Sequence, residues 1–241
     1  MTFPKIPSLK KYVLRKGKKD VTALEHSAFE WVKTAHANKM TYEVEWFGIP
    51  IIQTPEDMIL MQELIFTLRP DVIVETGIAH GGSLIYYASL LELLGRGKVV
   101  GVDIEIRNHN RRVLEKHPFM KRVTMIEGDS VSDATLINVR KHIKPKDRVL
   151  VALDSSHTKT HVLRELEAYY PLVSQGSYIV VFDTNTSALA QAGVCEAQYL
   201  NNGPSDAVRE FLKSHKNFSI DKNFNKLFIS YSPDGYLKRT R

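Results

Sequence analysis

The sequence predicts an α/β fold: a doubly wound, mostly parallel seven-stranded sheet that finishes in a C-terminal antiparallel hairpin. Three observations predict it. From about residue 70 onward, short runs of apolar, β-branched residues alternate with helix-length segments, as strands joined by right-handed crossovers do. The first run leads directly into a glycine-rich turn, "ETGIAHGGS", that opens a helix. Each of five apolar runs ends in an acid, at the strand ends where open sheets of this kind bind ligands.

Taken in order, residues 1–20 read as a loose basic arm. Residues 21–40 read as a helix with apolar positions at Leu24, Phe29, Trp31 and Val32. The aromatic stretch "YEVEWFGIPIIQTPEDM" is loop-like, and Thr54 caps a helix that runs to about Leu68, with Pro55 in its first turn and acids following. Then "DVIVETG", "GKVVGVDIE", "RVTMIEGD", "RVLVALDSS" and "GSYIVVFDT" read as five strands. The helices between them are "GGSLIYYASLLELLG", a polar helix to about Lys116, "ATLINVRKHI" and "THVLRELEAYYPLV". "DAVREFLKSH" is a last helix, and "FSIDKN" with "LFISYS" close the sheet as the hairpin. Residues 1–50 thus form a basic arm with a helical, aromatic cap, and residues 51–241 the ligand-binding α/β domain.

Composition narrows the function classes. A chain of 241 residues holds one large core with little room for a second. The lone cysteine, Cys195, excludes an internal disulfide framework and fits a reducing compartment. No apolar run approaches the ~20 residues that span a bilayer. The start is charged and lacks an apolar signal core, so a cytoplasmic protein is expected. The net charge of +6 concentrates in "LKKYVLRKGKK" and the final "LKRTR", which read as solvated basic tails. The interleaved aromatic and basic residues of a single-strand binder are missing, so no nucleic-acid partner is expected.

The strand-end acids are Glu75, Asp103, Asp129, Asp154 and Asp183. After Glu75, Gly77 permits a tight turn, and Gly81 and Gly82 let backbone amides approach a ligand. A dinucleotide fingerprint would want glycine where Ala79 stands. A cationic sulfonium with an amino-acid head suits Glu75 better than a pyrophosphate does. Asp103 is placed to accept ribose hydroxyls, and Asp129 with Ser130 to hold an adenine edge. Asp154 and Asp183, on neighbouring strand ends, are placed to share a hard divalent cation, with His157 a general base three residues on. A rival set of Asp154, His157 and His161 would make a two-His-one-carboxylate iron site. An NAD-dependent or iron-dependent oxidoreductase on the same scaffold is therefore the alternative reading.

These stretches resemble the cephalosporin hydroxylase and rhamnosyl O-methyltransferase family. The similarity is carried by "EWFGIPIIQTPEDM", "VIVETGIAHGGSLIYYASLLELLG", "KVVGVDIEIR", "IEGDSVS", "LDSSHTKTHVLRELEAYYPLVSQGSYIVVFDT" and "GPSDAVREFL", most of residues 42–212. The resemblance implies a class I, Rossmann-like methyltransferase that uses S-adenosylmethionine, often with Mg²⁺, on a sugar or related small-molecule hydroxyl, and a possible homo-oligomer. It implies a methionine-binding loop from Glu75 through Gly77, His80, Gly81 and Gly82 to Ser83. It further implies Asp103 at the ribose, Asp129 and Ser130 at the adenine, and Asp154 and Asp183 at the metal with His157 as base. One departure stands out: relatives often place an acid before the second metal aspartate, where this chain has Phe182. Thr184 or a water is the candidate for the missing ligand. Tyr42, Trp46 and Phe47 lie where relatives approach substrate, or else pack the N-terminal helix.

Overall fold

The computed structural model describes residues 21–241. The basic arm expected over 1–20 lies outside the described residues. Helix α1 (Val21–Ala37) forms as the spacing predicts, followed by one 3₁₀ turn, Met40–Glu43. The aromatic stretch then makes a two-stranded hairpin, β1 (Glu45–Trp46) and β2 (Ile49–Pro50), where the sequence pointed to a loop. Both corner residues, Phe47 and Gly48, have positive φ (49° and 79°), the twist a two-residue hairpin needs. Phenylalanine at such a corner is no turn signal, which is why the hairpin was not legible. The Trp46 indole N–H donates to Ser89 Oγ (3.0 Å), and its ring meets Tyr86 edge-on. Phe47 meets Phe119 in the same manner, so these two rings pack the hairpin onto the body.

Helix α2 (Pro55–Leu68) starts at the expected cap: the Thr54 hydroxyl accepts the Asp57 N–H (3.2 Å). The alternation then follows: β3 (Val72–Thr76), α3 (Gly82–Leu94), β4 (Lys98–Asp103), α4 (Asn108–Leu114), β5 (Val123–Glu127), α5 (Asp133–Arg140), β6 (Val149–Leu153), α6 (Lys159–Tyr169) and β7 (Tyr178–Val181). Helices α7 (Thr186–Gln191) and α8 (Pro204–Ser214) lead to β8 (Phe218–Ile220) and β9 (Tyr236–Arg239). The sheet order is β5-β4-β3-β6-β7-β9-β8, parallel except where β9 pairs antiparallel with both β7 and β8. Chain direction across the sheet reverses between β3 and β6, which opens a crevice above their carboxyl ends.

Period-two alternation divides the strands between two cores. Ile73, Val99, Leu150 and Val180 face the layer that contains α2 and α3. Val74, Val100, Val151 and Val181 face the layer that contains α6 and α8. Both strand faces are covered, so these segments read as continuous apolar runs.

The closing hairpin has one corrected member. "LFISYS" (227–232) is not a strand; the partner of β8 is β9. The buried Asp57 carboxylate accepts the Ser230 hydroxyl (2.5 Å) and the Tyr231 N–H (2.8 Å), drawing 230–232 across the start of α2 instead of into the sheet. The C-terminal "LKRTR" is likewise no solvated tail. Leu237 is buried, Lys238 lies over the Tyr178 ring, and Arg239 donates to the Val173 carbonyl (2.5 Å). Among the described residues no helix is long and apolar enough to cross a membrane.

Candidate active site

The β3–α3 turn sits in the crevice. Gly77 has φ +90°, and a Cβ there would lie 2.0 Å from the Asp154 carbonyl oxygen, so the close packing of the two central strand ends demands glycine. Gly82 is also a packing requirement, since a Cβ would lie 2.2 Å from the Pro50 carbonyl. The sequence assigned Gly81 and Gly82 to ligand approach, but β2 and the Leu114 side chain already fill the space beside them. Ala79 is left-handed (φ 48°) although it carries a side chain. Its N–H donates to Asp103 Oδ2 (3.2 Å), and its carbonyl accepts from Asn110 Nδ2 (2.8 Å).

Asp103 therefore braces the turn from the neighbouring strand. The same Oδ2 accepts the Ile78 N–H (2.7 Å), while Oδ1 accepts that of Glu105 (3.2 Å). Glu75 lies beneath the turn and is fully buried. Its Oε2 accepts the Ser83 hydroxyl (2.8 Å), and Oε1 is buried with no partner. Burial pushes its carboxyl up to about 8, against the lowering hydrogen bond from Ser83. Glu75 reaches neither cavity lining directly.

Two cavities open over the strand ends. One, of about 340 Å³, is bordered by Asp103, Ile104, Asp129, Ser130 and His161. The other, of about 350 Å³, is bordered by His80, Gly82, Ser83, His157 and Asp183, with Tyr42 and Tyr199 farther out. Gly77, Ala79, Asp154 and Ser155 belong to both, so the cavities meet at the end of β6. Of the site residues inferred from sequence, all but Gly81 border one cavity or the other, or both, or, like Glu75, sit directly beneath them; Gly81 is the α3 cap and packs on Leu114.

At the junction, Asp154, His157 and Asp183 each bring a ligand atom within 4.8 Å of the others. His157 Nε2 is 3.2 Å from Asp183 Oδ2. Desolvation, and then the facing Asp183 carboxylate, hold the Asp154 carboxyl well above the usual carboxylate range. Two such carboxylates repel until a cation lies between them. Oxygen-rich donor sets of this kind suit a hard divalent ion. Asp183 has φ +52°, and its carbonyl accepts both the N–H (3.0 Å) and the hydroxyl (2.6 Å) of Thr186. Phe182 is buried in the core. Thr184 is turned away, its hydroxyl donating to the Pro233 carbonyl (2.5 Å), which removes it as the stand-in ligand.

The iron alternative fails on geometry. His161 joins neither Asp154 nor His157; its Nε2 is 3.3 Å from Ser130 Oγ and 3.4 Å from Glu165 Oε1. Sequence reasoning also passed over Ile104 and Ser155, each the residue directly after a strand-end acid, which is the signal that would have found them. Gln53, Asn185 and Tyr231 border the second-described cavity and carry buried, unpartnered polar atoms. They come from three distant segments, and no local pattern marks them.

The strand order, the glycine turn and the acids at consecutive strand ends define the class: an S-adenosylmethionine-dependent methyltransferase. Residues 38–240 match the family model described as rhamnosyl O-methyltransferase/CmcI, and the chain belongs to that family. The rhamnosyl O-methyltransferase of Mycobacterium leprae is 30% identical over 220 residues, 88% of this chain and 90% of its own. That of Mycobacterium bovis is 26% identical over 219 residues, covering 88% and 84%. Among solved structures, apo CmcI aligns with a TM-score of 0.60 at 18% identity, over all of this chain and 88% of its own. A putative caffeoyl-CoA O-methyltransferase from Staphylococcus aureus aligns with a TM-score of 0.56 at 17% identity, covering 87% and 91%. Family membership sets the NAD-dependent reading aside.

Proposed function

We propose that the chain transfers a methyl group from S-adenosylmethionine to a hydroxyl of a sugar or related small metabolite, with a divalent cation held by Asp154 and Asp183. The observation that carries this reading is the meeting of two cavities at Asp154, with the carboxylate–histidine group on the shared wall. The cavity bordered by Asp103, Asp129 and Ser130 takes the adenosyl half of the cosubstrate, and the other takes the acceptor. When bound, the cosubstrate supplies an electrophilic methyl group on a sulfonium, and the cation supplies Lewis acidity that favours a deprotonated hydroxyl.

The chain's own residues align and deprotonate. The turn from Gly77 to Ser83, braced by Asp103, fixes the donor against the end of β6. Asp154 and Asp183 would hold the cation, whose charge would favour loss of the acceptor's hydroxyl proton. His157, oriented by Asp183, takes the hydroxyl proton on its imidazole. The acceptor oxygen gains the methyl carbon as the carbon–sulfur bond breaks, and alignment supplies most of the acceleration because the sulfonium is a good leaving group.

The surroundings favour an uncharged acceptor. Among the described residues that line this cavity there is no lysine or arginine, whereas Glu196 adds to the two aspartates. A neutral carbohydrate meets that field better than a phosphate or carboxylate. Relatives named rhamnosyl O-methyltransferase, and a CmcI structure solved with Mg and SAM, support both the acceptor class and the cation.

Methyl transfer from labelled S-adenosylmethionine to a panel of neutral glycosides, with and without EDTA, tests the proposal. Turnover that disappears in the chelator and returns with Mg²⁺ is expected. Full turnover in EDTA would remove the cation, and exclusive use of anionic acceptors would overturn the acceptor class.

A further inference from the structure

One face of α6 carries His161, Glu165 and Tyr169, at i, i+4 and i+8. His161 lines the cavity assigned above to the adenosyl group, and the other two hold residues that line it. The Tyr169 hydroxyl donates to the Ser130 carbonyl (2.8 Å). Glu165 is fully buried, and its Oε1 accepts the Ser155 hydroxyl (2.8 Å). His161 Nε2 faces both that same Oε1 (3.4 Å) and Ser130 Oγ (3.3 Å). A single helix face thus ties the loop after β5, through Ser130, to the loop after β6, through Ser155.

Facing a carboxylate, Nε2 is the ring nitrogen that carries the proton. Glu165 also raises the imidazole pKa, chiefly through this hydrogen bond. The other ring nitrogen, Nδ1, has no hydrogen-bond partner among the described residues and is not sealed from solvent. The side chain is about a quarter exposed, and its ring borders the cavity beside Asp129. A fully buried carboxylate is costly unless its partners are well placed. Here it fixes one imidazole, leaving one edge of that ring open to the cavity.

We infer that His161 binds the adenosine half of the cosubstrate through Nδ1, and that Glu165 is the positioning residue that aims the ring. The inference rests on the reading of this cavity as the S-adenosylmethionine site.

Calorimetric titration tests the two separately. S-adenosylhomocysteine and 5′-methylthioadenosine, which lacks the amino-acid half, are titrated into wild type, His161→Ala and Glu165→Gln. About tenfold weaker binding of both ligands to His161→Ala is expected, the size of one hydrogen bond, measured at a temperature where the unliganded variant is folded. Glu165→Gln is expected to weaken both ligands by a smaller factor, because the ring stays but loses its orientation. Unchanged affinity in His161→Ala overturns the inference. A loss confined to S-adenosylhomocysteine overturns the assignment to adenosine. If wild type binds neither ligand, the methyltransferase reading itself falls.

Discussion

The two cavities that meet at Asp154 are built in opposite ways. The cavity bordered by Asp103 and Asp129 is framed by consecutive strand ends and one helix face, and short hydrogen bonds to backbone amides hold it. The cavity bordered by Tyr42 and Tyr199 shares the turn after β3 and the ends of β6 and β7, but its outer wall is assembled from α1, the turn after it, the segment after α7 and Tyr231. The first is fixed by the sheet itself. The second depends on contacts between segments far apart in the chain, such as Asp57 with Ser230. On the assignment proposed above, the cosubstrate takes the wall built from the sheet and the acceptor takes the wall that sequence change can remodel most easily.

The largest effect that would separate the two cavities is at their junction. Asp154→Asn should lower turnover by about a thousandfold or more while leaving S-adenosylhomocysteine affinity within about threefold. Steady-state rates and calorimetry read the two quantities; collapse of both would mean that the cavities are one unit. Gly77→Ala strikes the shared floor. The left-handed backbone and the clash with the Asp154 carbonyl should cost about 3 kcal/mol of stability, read from denaturant melts, and binding in both cavities should weaken together.

Asp57→Ala probes only the remodelled wall. It leaves the buried Tyr231 N–H and Ser230 hydroxyl without their acceptor, for a loss of about 2 kcal/mol. The acceptor KM should rise with S-adenosylhomocysteine affinity unchanged, and equal losses in both would erase the contrast. The last test lies under the wall built from the sheet. The folded Glu75 carboxyl titrates near 8 and the unfolded one near 4.5, so the unfolded chain sheds its proton first as pH rises. The stability this group contributes is full below the unfolded value and is lost progressively up to the folded one. Glu75→Gln should flatten the melting temperature across about pH 5 to pH 8, and an unchanged slope would assign the pH dependence elsewhere.

The same contrast governs what the sequence revealed. Strands β3, β4, β6 and β7 are buried on both faces, and they and the half-buried β5 lead into acids, so composition alone marks them and the crevice they frame. The Asp154, His157 and Asp183 group follows from strand adjacency. The rest needed the fold. The β1–β2 corner puts Phe47 in the left-handed region, where residue preference points elsewhere. "LFISYS" has strand composition, but its backbone is claimed by a carboxylate 173 residues away in the chain. Helix α7 is six residues long, too short for a helical period to mark it. Gln53 and Asn185 become neighbours of the site only after the sheet has formed.

The position of β9 bears on how the chain is made. Strand β9 follows β8 in sequence yet lies between β7 and β8 in the sheet. Until residues 236–239 dock, β8 has no neighbour to pair with and β7 presents an open edge. An open edge is a template for pairing with other chains. An intermediate in which β9 has not docked would therefore be adhesive, and the pairing of this one short strand with both neighbours completes the sheet.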